Sequence, residues 1–171
     1  EYFHRLLGRM IGLIFLMPFL YFYYKKYLDR KLIKRLLILF LLGFSQGLMG
    51  WYMVKSGLID NPYISHYRLA AHLLLALIII ACIYWTKLSL EFSNKMKVKN
   101  FKYLNNLTNL VLLVFFIQIT YGAFSAGLKA GQFWNTFPLI EGKIIPVDIL
   151  HLKPLFLNFL ESPKTIQFIH P

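Results

Sequence analysis

Cysteine is almost missing from this sequence: Cys82 is the only one in 171 residues. An intrachain disulfide is excluded, and so is any paired-cysteine metal or redox site. Cys82 lies inside an apolar run, where a packed, inert thiol is expected. Charge is scarce too, at 15% of residues, against about 25% in soluble domains. Acids are the rarest part of it, with 7 Asp and Glu against 19 Lys and Arg and a net charge of +12. Such a balance would suit nucleic acid if the cations covered one face. Here they cluster between apolar runs, as cytoplasmic loops of a membrane protein do, so a nucleic-acid partner is set aside. Period-two alternation is also missing from those runs, which excludes barrel strands.

What is present is hydrophobicity: 58% of residues are apolar and mean hydropathy is +0.56. A helix needs about 20 apolar residues to cross a bilayer. Four segments meet that length, near Leu6–Tyr24, Leu36–Val54, Tyr67–Lys87 and Leu107–Ala126. A fifth helix is expected to start near Thr165. The predicted fold is therefore all-α, a polytopic transmembrane bundle of four helices with the start of a fifth. The chain opens on Glu1 rather than Met, and no signal peptide is visible. Both ends read as cut from a longer protein.

Eleven of the 19 basic residues lie in two loops. Lys25, Lys26, Arg30, Lys31, Lys34 and Arg35 follow the first helix; Lys87, Lys95, Lys97, Lys99 and Lys102 follow the third. The positive-inside rule makes these loops cytoplasmic. The start of the first helix, the start of the third and the region of Thr165 then share the outer side. Tyr21–Tyr24, Trp51, Tyr52, Tyr84 and Trp85 read as interfacial belts. Gly8/Gly12 and Gly43/Gly47 are each four apart, a spacing that favours close helix packing; approach of a flat ring is the other reading. The outer segment 127–164 is not low-complexity, and Phe133, Trp134, Phe137 and Ile144 argue against disorder. Pro154 is placed to open a short surface helix through Leu160.

Ionisable groups in or beside spans are costly, so they are candidates for function. On a helix, Glu1, Arg5 and Arg9 stack at i, i+4 and i+8 with His4 beside them. Arginines there could equally snorkel as interfacial anchors. His66 and His72 are six apart, about 120° around a helix, so they do not share one face. His66 is expected as a hydrated histidine at the helix mouth. His72, among leucines, calls either for a structural hydrogen bond or for haem iron. His151 reads as a surface residue, and His170 lies on the outer side. Helices one and three run in the same direction, so His4 and His72 can clamp a haem from two sides. Arg5, Arg9 and Arg68 suit its propionates. The spacing alone fits any bis-histidine membrane cytochrome.

Longer motifs narrow this. EYFHRLLGR, QGLMGWYMVKSGL, SHYRLAAHL, QITYGAFSAGLKAGQFWNTFPLIEGKIIP and NFLESPKTIQFIH occur in one order. In these the chain resembles the haem A synthases, membrane enzymes that oxidise a methyl group of haem O to the formyl group of haem A for cytochrome oxidase. The resemblance is to the alphaproteobacterial and mitochondrial branch, without the paired loop cysteines of other bacterial relatives. It implies an eight-helix fold of two similar halves, of which this chain carries about one. Residues 1–126 would be the haem-binding bundle, 127–164 an outer loop with a short surface helix, and 165–171 the start of a fifth span.

By the same resemblance His4 and His72 are the first-half haem pair and Glu1 the acid of the E-x-x-H-R motif, important for activity. His170 is the first histidine of the second-half pair. The implied groups are a resident haem b and haem O as substrate. Implied partners are haem O synthase, an electron-transfer protein, membrane lipid and a second copy of the chain. The membrane is a bacterial inner membrane, or alternatively a mitochondrial one. The sequence departs from the family at Pro171, where arginine is expected, and in lacking a helix before Glu1 and the helices after His170. Two alternatives stand beside the enzyme: a non-catalytic bis-histidine cytochrome b, and an inactive remnant.

Overall fold

The computed structural model describes residues 2–57, 65–92, 102–136 and 138–170. Four long helices dominate: α1 (Tyr2–Tyr24), α2 (Arg30–Gly57), α3 (His66–Glu91) and α4 (Lys102–Gly127). All four are long and apolar enough to cross a membrane. Beyond them come α5 (Ala130–Phe133), a 3-10 turn at Leu155–Leu157, α6 (Asn158–Glu161) and α7 (Pro163–Ile169). The fold is all-α, as expected; α1, α2 and α4 begin several residues before their apolar runs and α3 one residue before. Glu1, Phe137 and Pro171, with the loop positions Asp60, Lys95, Lys97 and Lys99, lie outside the described residues. The chain divides into two compact units, Glu1–Tyr52 with Leu75–Lys97, and Met53–Leu74 with Val98–Pro171.

In the first unit the α1–α2 turn is closed by the backbone itself. Lys26 is left-handed at φ 57°. Tyr27 N–H donates to Phe22 carbonyl at 3.1 Å and Lys26 N–H to Tyr23 at 3.0 Å. This pair of bonds is a Schellman stop, and the Phe22–Tyr27 ring contact at 6.3 Å is the apolar partnership that goes with it. Asp29 then caps α2, its Oδ1 accepting from Leu32 N–H at 2.8 Å. Phe15 of α1 stacks on Phe40 of α2, centroids 6.3 Å apart, and Arg35 donates to Ser89 of α3. The paired glycines do not make these contacts. A methyl group at Gly8, Gly12, Gly43 or Gly47 would meet no described neighbour within 4 Å. Among the described residues no neighbour covers these glycine faces.

The second unit packs the start of α3, the end of α4 and α7 around Ala70, Ala123, Phe124 and Ile166, with Tyr121, Leu128 and Leu160 against them. Its segment 128–162 is ordered mainly by polar bonds. Asn158 is fully buried. Its amide accepts from Leu152 N–H and donates to the Leu152 and Leu155 carbonyls, all at 2.9 Å. Ser162 caps α7 through Thr165 N–H, Pro163 fills the first turn, and Thr165 hydroxyl reaches Ile149 carbonyl. Of the apolar and aromatic residues expected to order this segment, Phe133 is 72% exposed, and Ile144 is 76% exposed.

One close approach fixes how α3 meets α4. A methyl group at Gly127 would lie 2.6 Å from His66 Cβ and 2.7 Å from His66 Cα. Only glycine fits against that backbone. Gly127→Ala should destabilise the second unit by about 1–3 kcal/mol, as overpacking does. Gly43→Ala, on an open face, should cost under about 1 kcal/mol. Denaturation in mixed micelles, followed by circular dichroism, distinguishes the two.

Candidate functional site

The histidines of the second unit fall into distinct environments. His66, at the mouth of α3, is half-buried and sits edge-on to Phe124 at 5.2 Å. Its Nε2 lies 2.8 Å from Leu160 carbonyl. A carbonyl only accepts, so Nε2 carries the proton and is not open to a metal. The expected hydrated histidine is instead a packed residue that ties α3 to α6. Beside it Tyr67 hydroxyl donates to Glu161 at 3.1 Å. His72 is half-buried, and its Nδ1 is shielded from solvent. His72 lies about 9 Å deeper along α3 than His66, at 1.5 Å per residue.

His170 follows α7 and leans on α4. Its Nδ1 is 2.6 Å from the Gln118 side-chain amide. The face of its ring lies over Gly122, where a methyl group would stand 3.0 Å from Nε2 and 3.3 Å from Cε1. Gly122 is five residues before Gly127, so His170 lies about 7 Å or more below the His66 contact, near the depth of His72. Ser125 hydroxyl donates to Gln167 at 2.9 Å, a second polar tie between the same helices. His151 is exposed.

In the first unit, His4, Arg5 and Arg9 are exposed on the opening turns of α1. His4, Gly8 and Gly12 are four apart, so they share one face, and nothing described crowds its glycines. Arg68, in the second unit, is half-buried. Glu1 is not described. Among the described residues no three His, Cys, Asp or Glu side chains converge on a metal site.

A flat macrocycle needs histidine nitrogens and bare helix surface. In the first unit His4 shares a face of α1 with Gly8 and Gly12, and in the second unit His72 has a shielded Nδ1. His170 has Nδ1 bonded to Gln118, and Gly122 lies over its ring face rather than along the Nε2 lone pair.

Sequence reasoning passed over Gln118, Gly122, Gly127 and Asn158. Gln118 had a readable signal, being a polar side chain inside an apolar span. The others depend on which segments meet. Glu141 was also missed. It heads a tight turn with Gly142, both at positive φ (55° and 76°), closed by bonds between Ile140 and Lys143. Two positive φ values in succession are the type I′ hairpin geometry. Lys164 of α7 holds its carboxylate at 2.9 Å, and Trp134 indole N–H donates to it at 3.3 Å.

The fold and its polar outer end define an integral, multi-pass membrane protein. The comparisons then show which family it is. The model of the COX15-CtaA family, the cytochrome oxidase assembly proteins, matches residues 1–171, and the chain belongs to that family. It is 52% identical over 171 residues to the protein named "Heme A synthase" in Ehrlichia canis (strain Jake), covering 99% of this chain and 49% of that relative. The corresponding protein of Nitrosospira multiformis is 49% identical over 172 residues, covering 99% and 48%. That of Wolbachia pipientis wMel is 45% identical over 174 residues, covering 99% and 49%. The chain thus spans about half the length of the curated relatives it matches. Four spans and bacterial relatives put it in the inner membrane. No solved structure matches it.

The Lys164 and Trp134 bonds hold the Glu141 carboxyl below its ordinary range. A depressed carboxyl stabilises the turn above the ordinary glutamate pKa, and that stabilisation is lost as pH falls through the lowered value. The carboxyl carbon resonance of Glu141 should titrate below the ordinary glutamate range. In Lys164→Met it should move back up, and an unchanged midpoint would contradict the pairing.

Proposed function

We propose that the chain is the haem-binding half of a haem A synthase, oxidising a methyl group of haem O to the formyl group of haem A. The observation that carries this is the family match along the whole chain, over which the histidine motifs lie. The substrate would be held by His4 and His72. Arg5, Arg9 and Arg68 would pair with its propionates, because guanidinium and carboxylate bond in two places at once. These contacts fix the ring's rotation, and with it which methyl group faces the acid. Glu1 would accept protons released as the methyl carbon is oxidised. A carboxylate shielded from water suits that task, since burial lifts its pKa towards neutrality.

His170 would hold a second, resident haem b, which supplies a one-electron acceptor when bound. The segment 128–162 would screen the site from the outer aqueous phase. Water exclusion strengthens the charge pairs inside and limits side reactions of oxidised intermediates.

Replacing His72 tests the assignment. In a full-length parent carrying the His72→Ala change, extracted pigments should show haem O accumulating, with haem A reduced at least tenfold. The same substitution at His66 should reduce it only as far as folding is impaired. Undiminished haem A in His72→Ala would remove the ligand role.

A further inference from the structure

One ring nitrogen of His170 is bonded and the other is not. Nδ1 lies 2.6 Å from the Gln118 side-chain amide. Nε2 has no hydrogen-bond partner among the described residues. A methyl group at Gly122 would stand 3.0 Å from Nε2, 3.3 Å from Cε1 and 3.7 Å from Cδ2. Distances that similar mean that the ring lies face-on to this position. The Nε2 lone pair lies in the ring plane, so contact with Gly122 does not use it. Gln118 and Gly122 are one turn apart on one face of α4. The first bonds the edge of the imidazole and the second leaves room for its face.

Gln118 sits nine residues before the end of α4, about 13 Å along the helix and inside an apolar span. A primary amide there needs a bonded partner, and His170 is that partner. The two ends of the amide exchange by a half-turn, so the hydrogen-bond network decides which of them faces Nδ1. An amide nitrogen facing Nδ1 requires the imidazole proton on Nε2. Oε1 facing Nδ1 requires the proton on Nδ1 and leaves the Nε2 lone pair available. Metal-binding histidines almost always donate their other N–H to an acceptor in this second way.

We propose that Gln118 is the positioning residue of His170: its Oε1 accepts from Nδ1–H, fixes that tautomer and leaves Nε2 as the nitrogen that binds haem iron. The proposal deepens the reading of His170 as a haem ligand and rests on it. The bond also sets the rotation of the ring and raises its basicity as a ligand.

The test uses the 171-residue chain in detergent micelles with 15N-labelled histidine at mildly alkaline pH, titrated with hemin. His170→Ala identifies the His170 resonances. Gln118 is exposed, so replacing it leaves no cavity. Before hemin is added, His170 should be protonated on Nδ1 in the native chain and in Gln118→Glu, whose carboxylate accepts the same bond. In Gln118→Ala it should revert towards the Nε2–H form that free imidazole side chains favour. The hemin concentration that perturbs His170 should rise about 10- to 100-fold in Gln118→Ala and stay near native in Gln118→Glu. A Gln118→Ala midpoint equal to the native one would overturn the positioning role. So would a native chain with His170 protonated on Nε2, or a Gln118→Glu midpoint as weak as that of Gln118→Ala. Hemin that leaves His170 untouched in every version would overturn the ligand reading and the proposal with it. The tautomers, read before hemin is added, tell that failure from the others.

Discussion

A bilayer gives polar groups no water, so every polar side chain brought into it must be bonded within the protein. That constraint organises the second unit. Its backbone helices satisfy themselves, and its side chains are then bonded in pairs between elements. Asn158 closes the outer segment on itself, His66 joins α3 to the Leu160 carbonyl, and Ser125 and Gln118 join α4 to Gln167 and His170. Apolar packing supplies the contact, but in lipid it has no hydrophobic drive behind it between spans. Direction comes from these polar bonds, with Gly127 letting two backbones meet.

The histidines consequently divide their work. His66 is committed to a carbonyl and is structural. His170 is bonded to Gln118 of α4 through Nδ1. His72 of the second unit has a shielded Nδ1, and His4 of the first unit stands on a face whose glycines have no described neighbour. In the proposed function these last two would hold haem iron. The outer segment is stapled by Asn158 and by the Lys164–Glu141 pair, while Ile144 and Phe133 stay exposed.

The spans were legible because twenty-residue apolar runs admit few other structures, and the belts of Tyr21–Tyr24 and the Lys/Arg loops mark their ends. The last helix was read as starting near Thr165, and α7 begins at Pro163 behind a Ser162 cap. The family was legible from several motifs in a fixed order. The role of His66 was not, because the Leu160 carbonyl lies 94 residues away and a backbone oxygen leaves no trace in residue type. Gly8 and Gly127 look alike in sequence, yet only Gly127 faces another backbone. Spacing on one helix gives a face, and which neighbour that face meets is a tertiary fact. For the same reason Gln118 could be flagged as costly but not assigned to His170.

The central proposal is that His4 and His72 are haem ligands. Hemin added to the purified chain, with electron paramagnetic resonance at low temperature, tests it most directly. The account predicts a low-spin bis-imidazole signal that is lost in His4→Ala and in His72→Ala and kept in His66→Ala. A low-spin signal surviving both the His4 and His72 substitutions would contradict it.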